Sequence, residues 1–173
     1  ALGLTCYLGG LVIAGRPLVE ETLRRRPSTY ATWSVCVGVV WFVVTLAVLT
    51  VVVAFAPTWA AAADVADRLA VPLLVGFGAQ VLLGALSYLI PVVLGGGPAA
   101  ARRTIAVLDT GARTRLVLIN TGVLAAGLPL PATVRTALGL AALGALATFL
   151  PLVVRAVLLR RAREPLQTEP APS

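Results

Sequence analysis

Long uncharged apolar runs alternate with short stretches that hold arginine, proline or glycine along most of this chain. A helix needs about 20 predominantly apolar residues to cross about 30 Å of hydrocarbon. The pattern therefore predicts an all-α integral membrane protein, a bundle of about five transmembrane helices. The bundle would occupy residues 1–163, followed by a flexible polar tail or linker, with helices at about 1–25, 33–56, 69–94, 115–128 and 134–160.

The run WSVCVGVVWFVVTLAVLTVVVAFA, from Trp33 to Ala56, shows how length decides between helix and strand. So many β-branched residues favour a strand in water, but 24 residues suit a spanning helix. Trp33 and Trp59 flank the run, as interfacial anchors do. The following AAAADVADRL predicts a short polar turn or an interfacial helix. The first apolar run, residues 1–15, is too short to span alone, which suggests a fragment of a longer protein.

The arginines test this order of helices, because cytoplasmic loops of membrane proteins are enriched in basic residues. With five spans, twelve of the fourteen fall on one side, which predicts a multi-pass protein of the bacterial plasma membrane with its N-terminus outside and its C-terminus cytoplasmic. The twelve are Arg16, Arg24, Arg25, Arg26, Arg102, Arg103, Arg113, Arg115, Arg155, Arg160, Arg161 and Arg163, and the other two are Arg68 and Arg135.

Composition supports the membrane class and weakens a nucleic-acid interpretation. Hydrophobic residues make up 59% of the chain, charged residues 12%, and the mean hydropathy is +0.97, whereas soluble domains run near about 45–50% and 25%. The net charge of +7 comes from arginines spread over helix ends, without a soluble patch of interleaved aromatics. We therefore predict the lipid bilayer and other transmembrane helices as partners, and no nucleic acid.

No catalytic or metal site is predicted within the chain. Histidine is absent, and membrane haem, zinc and copper sites usually need imidazole. Cys6 and Cys36 lie in apolar runs without a CxxC spacing, so both are expected to be buried hydrophobes. Asp64, Asp67 and Asp109 fall in predicted loops as solvated surface. GGGP at 95–98 is a helix stop rather than a phosphate loop, because the chain has no lysine.

Polar residues inside the third run are the candidates for a site. Gly76, Gln80, Gly84 and Tyr88 recur every four residues, which places them on one predicted helix face, with Ser87 and Pro91 beside them. Glycines allow close helix approach and an amide bonds across the contact. The stripe indicates either a packing seam or the wall of a pathway or cofactor site. Tyr88 could also be an interfacial anchor.

The last two predicted helices add further polar and small residues. Asn120 and Thr121 lie in the fourth helix, and Asn120 is the candidate partner of Gln80 if the two helices face each other. In the fifth helix, Gly139, Leu143 and Ala147 recur every four residues and predict a second small-residue seam. Pro151 predicts a kink before the basic end.

Three runs resemble a known family. WAAAADVADRLAVPLLVGFGAQVLLGALSYLIPVVLGGGPAAAR, with RRRPSTYATWSV before it and RLVLINTGVLAAGLPLP after it, is similar to part of long actinobacterial membrane proteins of the multicopper oxidase and copper-containing nitrite reductase type. The resemblance implies a membrane domain like the haem–copper oxidase subunit I fold, followed by cupredoxin domains that carry the copper chemistry. This chain would be the last part of that membrane domain. Its lack of histidine means that no ligand carries over, so copper, and haem if the family binds it, would lie elsewhere.

The expected role is therefore anchoring and packing of a copper oxidase or nitrite reductase-like protein, with walling of an electron or quinol path as a further hypothesis. The chain itself is expected to have no catalytic activity. Two alternatives stay open. One is a small transporter or channel lined by Gln80, Tyr88 and Asn120. The other is a stand-alone membrane subunit that binds a partner enzyme.

Overall fold

The structure, a computed structural model, describes residues 2–24 and 28–162. All regular elements in these ranges are helical, which confirms the all-α prediction there. The predicted tail, 164–173, lies outside the described residues. The elements are α1 (Leu2–Arg24), α2 (Tyr30–Phe55), α3 (Trp59–Val71), a π-helical segment (Pro72–Ala79), α4 (Gln80–Leu94), α5 (Gly97–Leu108), α6 (Ala112–Gly127), α7 (Ala132–Ala147) and α8 (Phe149–Arg161).

Within residues 2–24 and 28–162, four stretches are long and apolar enough to cross a membrane, whereas five were predicted. They are Leu2–Arg24, Tyr30–Phe55, Trp59–Leu94 and Ala132–Arg161. The predicted helix at 115–128 is present as α6, but its 16 residues extend only about 24 Å at 1.5 Å per residue. Within the bundle α6 is strongly buried, because Ile119, Val123 and Ala125 are covered by neighbouring helices.

α2 and α4 run antiparallel and pack closely. Gly84 in α4 lies against Ala31 and Val35 at the start of α2. Gly38, later in α2, lies against Phe77 and Val81, which precede Gly84 in the chain. The start of α2 and the end of α4 therefore share one end of the bundle. α6 pairs with α7 and also contacts α3, so it leads away from that end.

The third predicted helix begins ten residues earlier than expected. α3, the π-helical segment and α4 form one continuous stretch, Trp59–Leu94. AAAADVADRL, predicted to be a turn or an interfacial helix, is therefore helical and continuous with the third predicted helix. Pro72 lies at the start of the π-helical segment. Proline has no N–H to donate to the carbonyl oxygen four residues before it, and the proline ring clashes with that carbonyl. A widened π turn is one way in which a helix accommodates the lost hydrogen bond.

The predicted helix stop at GGGP is confirmed, but it is followed by a helix that the sequence analysis missed. Gly95, Gly96 and Gly97 all have positive φ, at 66°, 88° and 79°, which a side chain would disfavour. Pro98 then lies in the first turn of α5, where its missing N–H costs nothing. The stretch read as a loop is thus a sharp turn into a 12-residue helix.

The predicted fifth helix, 134–160, is divided at Thr148 into α7 and α8. Pro151 explains the position, because a helical proline clashes with the carbonyl of the fourth residue before it, here Ala147. The predicted seam of Gly139, Leu143 and Ala147 is wrong. Leu143 and Ala147 are exposed, no atom outside the local backbone lies within 4 Å of a methyl group added at Gly139, and α7 instead turns Ala142 and Ala145 inward.

Candidate functional site

Three glycines bring α2 against the π-helical segment and α4. A methyl group added at Gly38 would lie 2.8 Å from a Val81 methyl carbon, and one at Gly76 would lie 2.7 Å from the Trp41 ring. One added at Gly84 would lie 2.9 Å from the carbonyl oxygen of Ala31. Because the backbones approach so closely, the Ser34 hydroxyl donates across the contact to the Gln80 carbonyl oxygen at 2.7 Å.

Trp41, Gln80 and Asn120 form a hydrogen-bonded cluster that joins α2, α4 and α6. The Gln80 amide nitrogen donates to Asn120 Oδ1 at 3.1 Å, and the Asn120 amide nitrogen donates to Gln80 Oε1 at 3.3 Å. Trp41 Nε1 donates to the same Asn120 oxygen at 2.6 Å. The predicted partnership of Gln80 and Asn120 is confirmed, and Trp41 is a third member that the sequence analysis did not identify.

The donors of this cluster are fully used. Gln80 Nε2 also donates to the Gly76 carbonyl oxygen at 2.8 Å, and Asn120 Nδ2 to that of Leu116 at 2.7 Å. Each amide nitrogen thus makes two hydrogen bonds, which is all that it has, and the indole makes its one. All three side chains are neutral, so the arrangement offers no group that would accept or release a proton near neutral pH. The cluster of Trp41, Gln80 and Asn120, called the clasp below, links three helices by hydrogen bonds.

The predicted candidate residues divide into two sets. Gln80 (0% exposed) and Gly84 are buried in the contact between α2 and α4, and Ser87 is also buried. Ser87 donates to the Leu83 carbonyl oxygen within its own helix. Tyr88 is 70% exposed and Thr121 is exposed, so neither belongs to the cluster or to the seam.

Helix geometry explains why Tyr88 leaves the stripe and Ser87 joins it. A step of four residues turns about 400°, so each step moves the position about 40° around the helix. Two such steps along α4, from Gln80 to Gly84 and on to Tyr88, turn residue 88 about 80° away from the packed face. The buried positions continue instead at Ser87 and Pro91, which restores the average period of 3.6 residues.

Trp41 carried a signal that could have identified it. Tryptophan in membrane proteins is enriched at the two interfaces, whereas Trp41 lies nearly halfway along the uncharged run of α2. A buried indole N–H needs an acceptor, and the polar acceptors in the apolar runs are few. Ser34, by contrast, had no distinguishing spacing, because its acceptor is a backbone carbonyl of another helix.

A second group of polar residues lies where α2 and α6 begin. Asp109, in the turn after α5, accepts a hydrogen bond from the backbone N–H of Tyr30 at 2.9 Å. Arg115 lies 4.1 Å from the centre of the Tyr30 ring and donates to the Leu108 carbonyl oxygen. The prediction of Asp109 as solvated surface is wrong, because its carboxylate caps the first turn of α2, where negative charge is favoured. Asp64 and Asp67 are exposed as predicted.

Arg115 is 5% exposed, and its Nε and Nη1 have no hydrogen-bond partner among the described residues. The hydroxyl of Tyr30 is likewise buried and unpaired there. Ring stacking and one carbonyl partially compensate the buried guanidinium. Arg115 therefore ties the end of α5 to the start of α2, a role that its place in a basic loop did not indicate.

Asp109→Ala is expected to destabilise the bundle by about 1 kcal/mol, because the Tyr30 N–H loses its acceptor and the α2 N-terminus loses a negative charge. Asp64→Ala is the matched control, since Asp64 is exposed on α3. Denaturant titration in micelles, followed by circular dichroism, measures the free energy of unfolding of both. Equal stability of the two variants would contradict the capping role.

The two cysteines are free; Cys6 is exposed and Cys36 half-buried, so the expectation that both are buried is wrong. Among residues 2–24 and 28–162, no group of three or more His, Cys, Asp or Glu side chains comes together.

No protein-family model, no curated protein and no solved structure matches this chain.

Proposed function

We propose that this chain is a membrane-embedded helical bundle that anchors the protein in the membrane and packs with its other helices. The observation that carries the proposal is the inverted distribution of polarity. Valine and leucine side chains point outward along α2, α4 and α8, among them Val51, Leu82, Val93 and Leu150. The amides of Gln80 and Asn120 point inward and bond each other. Lipid favours this arrangement, because apolar side chains lose nothing there while unpaired polar groups cost several kcal/mol, about 4–8 in hydrocarbon.

We further propose five crossings, with α6 as the fourth. α1, α2, the Trp59–Leu94 stretch, α6 and the α7–α8 pair would alternate in direction. The N-terminus would then lie outside and the C-terminus in the cytoplasm of a bacterial cell. The start of α2, α5 and the start of α6 share one end of the bundle, and α8 packs against α5. Most described arginines belong to these elements. Arg68 in α3 and Arg135 in α7 belong to the other end, as the positive-inside rule requires.

Cysteine labelling tests the five-crossing topology. In a background in which Cys6 and Cys36 are replaced by alanine, Arg135→Cys is expected to react with a membrane-impermeant maleimide in intact cells. Arg103→Cys is expected to react only after the membrane is opened, because α5 would face the cytoplasm. The measurement is the labelled fraction before and after permeabilisation.

Two other outcomes of the labelling, and one outcome of a separate extraction, would each mean something different. Reaction of both cysteines in intact cells would place the two ends on one side and remove α6 as a crossing. The reverse order would keep five crossings but invert the orientation. Extraction of the chain from membranes by alkaline carbonate would reject membrane integration itself.

The wider proposal is that the bundle belongs to a copper oxidase or nitrite reductase-like protein, in which copper sites lie outside this chain. It rests on the three quoted runs of sequence. Sequencing the DNA on both sides of the segment that encodes this chain tests the proposal. A continuous frame with histidine-bearing helices before the chain and cupredoxin motifs after it is expected, and a short frame without them would contradict it.

The hydrogen-bond pattern weighs against the transporter alternative. Polar groups that line a path must exchange partners with a substrate or with water. The donors of Gln80, Asn120 and Trp41 are instead all committed to one another and to the backbone, and Tyr88 lies outside the cluster. The stand-alone subunit alternative shares the anchoring role and differs only in what is joined to the bundle.

A further inference from the structure

We propose that the end of the bundle formed by α5, the start of α6 and α8 is a binding surface for acidic phospholipid headgroups, with α5 lying along the membrane surface. The inference rests on the proposed membrane location and adds a lipid specificity to it. The surface, called the basic end below, is defined by five exposed arginines: Arg102, Arg103, Arg113, Arg155 and Arg161.

The placement of α5 is the first step. α5 follows the end of α4 after the three-glycine turn, and the turn after it contacts the start of α2 through Asp109 and Tyr30. Because α2 and α4 are antiparallel, these two points lie at the same end of the bundle. α5 therefore does not cross the bundle but runs along that end. Its 12 residues would span only about 18 Å, too little for a crossing.

The two faces of α5 differ in chemistry. Thr104, Ile105 and Leu108 are partly or fully buried, and α5 packs against α4 and α8. Arg102 and Arg103 lie on the opposite, exposed face. α5 is thus an amphipathic helix that packs its apolar face on the bundle and leaves its arginines exposed at the bundle end.

Charge at the basic end is almost entirely of one sign. Residues 97–127 and 149–162 contain a single acidic residue, Asp109, and its carboxylate is already bound to the Tyr30 backbone. Positive side chains near an anionic leaflet contribute about 1 kcal/mol each, which corresponds to about a fivefold change in affinity. The basic end therefore favours an anion-rich partner.

The neighbouring surface indicates that this partner is lipid rather than nucleic acid. Next to the arginines, α4 exposes Val92 and Val93, and α8 exposes Leu158 and Leu159. Trp33 is half exposed at a recess of about 510 Å³ that Arg113 and Thr114 also line. A phospholipid presents a phosphate beside acyl chains and so matches both surfaces at once, whereas a nucleic acid would leave the apolar residues in water.

Electron spin resonance of labelled lipids tests the proposal. The chain is reconstituted into phosphatidylcholine vesicles with a trace of spin-labelled phosphatidylglycerol or phosphatidylcholine, and the motionally restricted fraction of each label is measured. We expect the restricted fraction to favour phosphatidylglycerol. Arg102→Gln with Arg103→Gln should reduce that preference by about fivefold or more, whereas Arg102→Lys with Arg103→Lys should retain most of it.

The matched control is Arg68→Gln with Arg135→Gln, which removes the same charge from the other end of the bundle. An unchanged preference in this control supports the assignment, and an equal loss would overturn it. Equal restriction of the two lipids by the wild-type chain would also overturn it, as would displacement of phosphatidylglycerol by single-stranded RNA. If neither lipid is restricted, the proposed membrane location itself has failed, and vesicle flotation distinguishes that result.

Discussion

Asn120→Leu is expected to destabilise the bundle by about 2 kcal/mol, because it leaves two donors that are wholly or partly buried without their acceptor. Trp41 Nε1 and Gln80 Nε2 both donate to Asn120 Oδ1. Gln80→Leu is expected to cost less, since Asn120 keeps its bonds to Trp41 and to the Leu116 carbonyl. The free energy of unfolding in mixed micelles of increasing dodecyl sulfate fraction, followed by circular dichroism, measures both variants.

The double variant separates a direct pair from two independent losses. If Gln80 and Asn120 bond each other, the double variant is destabilised by less than the sum of the single variants, by about 0.6–1.7 kcal/mol as in other membrane proteins. Thr121→Val is the matched control, because Thr121 is next in sequence but exposed, and it should leave stability nearly unchanged. Additive effects of the two single variants would contradict a direct interaction between Gln80 in α4 and Asn120 in α6.

Gly122→Val is expected to have an effect at least as large, because the α6–α7 contact has no room for a side chain. A methyl group at Gly122 would lie 2.5 Å from Ala142 Cβ and 2.8 Å from the Leu138 carbonyl oxygen. Overpacking of this kind typically costs about 1–3 kcal/mol, and here the backbone of α7 would have to move. The same unfolding titration measures the loss.

Gly139→Val on α7 is the matched control for Gly122→Val. It makes the same chemical change one helix away, where no atom outside the local backbone lies within 4 Å of an added methyl group. Its stability should change by less than about 1 kcal/mol, the scale of helix propensity alone. Equal destabilisation of the two variants would mean that the close contact between α6 and α7 at Gly122 does not set the cost, since Gly→Val by itself does not lower helix propensity.

Several features of the fold were predicted by local rules. The uncharged run that became α2 is long enough to cross a bilayer, and a single segment can satisfy its own backbone in lipid only as a helix. Gly95 to Gly97 ended α4 because three successive positive φ angles follow naturally only for glycine. Asn120 was a foreseeable partner for Gln80, since amides within apolar runs have few alternatives.

Features that depend on two elements at once were predicted poorly. Gly139 and Gly122 look alike in sequence, but only Gly122 meets a neighbouring backbone. Asp109 and Asp64 both follow apolar stretches, yet only Asp109 comes within reach of a helix N-terminus. Tyr88 was predicted to share a helix face with Gln80 and Gly84, but positions four residues apart move about 40° around an α-helix at each step.

By itself, then, this sequence determined the helical class, the apolar exterior and the chain positions at which helices break, because these follow from local hydropathy and from the backbone properties of glycine and proline. Tertiary structure alone decided which side of each helix is covered. Trp41 became a member of the clasp, and Arg115 a buried link to Tyr30, only when residues about 80 positions apart were brought together. Hydrogen bonds and close packing are short-ranged in space and do not depend on separation along the chain. A pattern within one run can therefore mark a residue such as Trp41 as unusual, but it does not give the contacts that the residue makes.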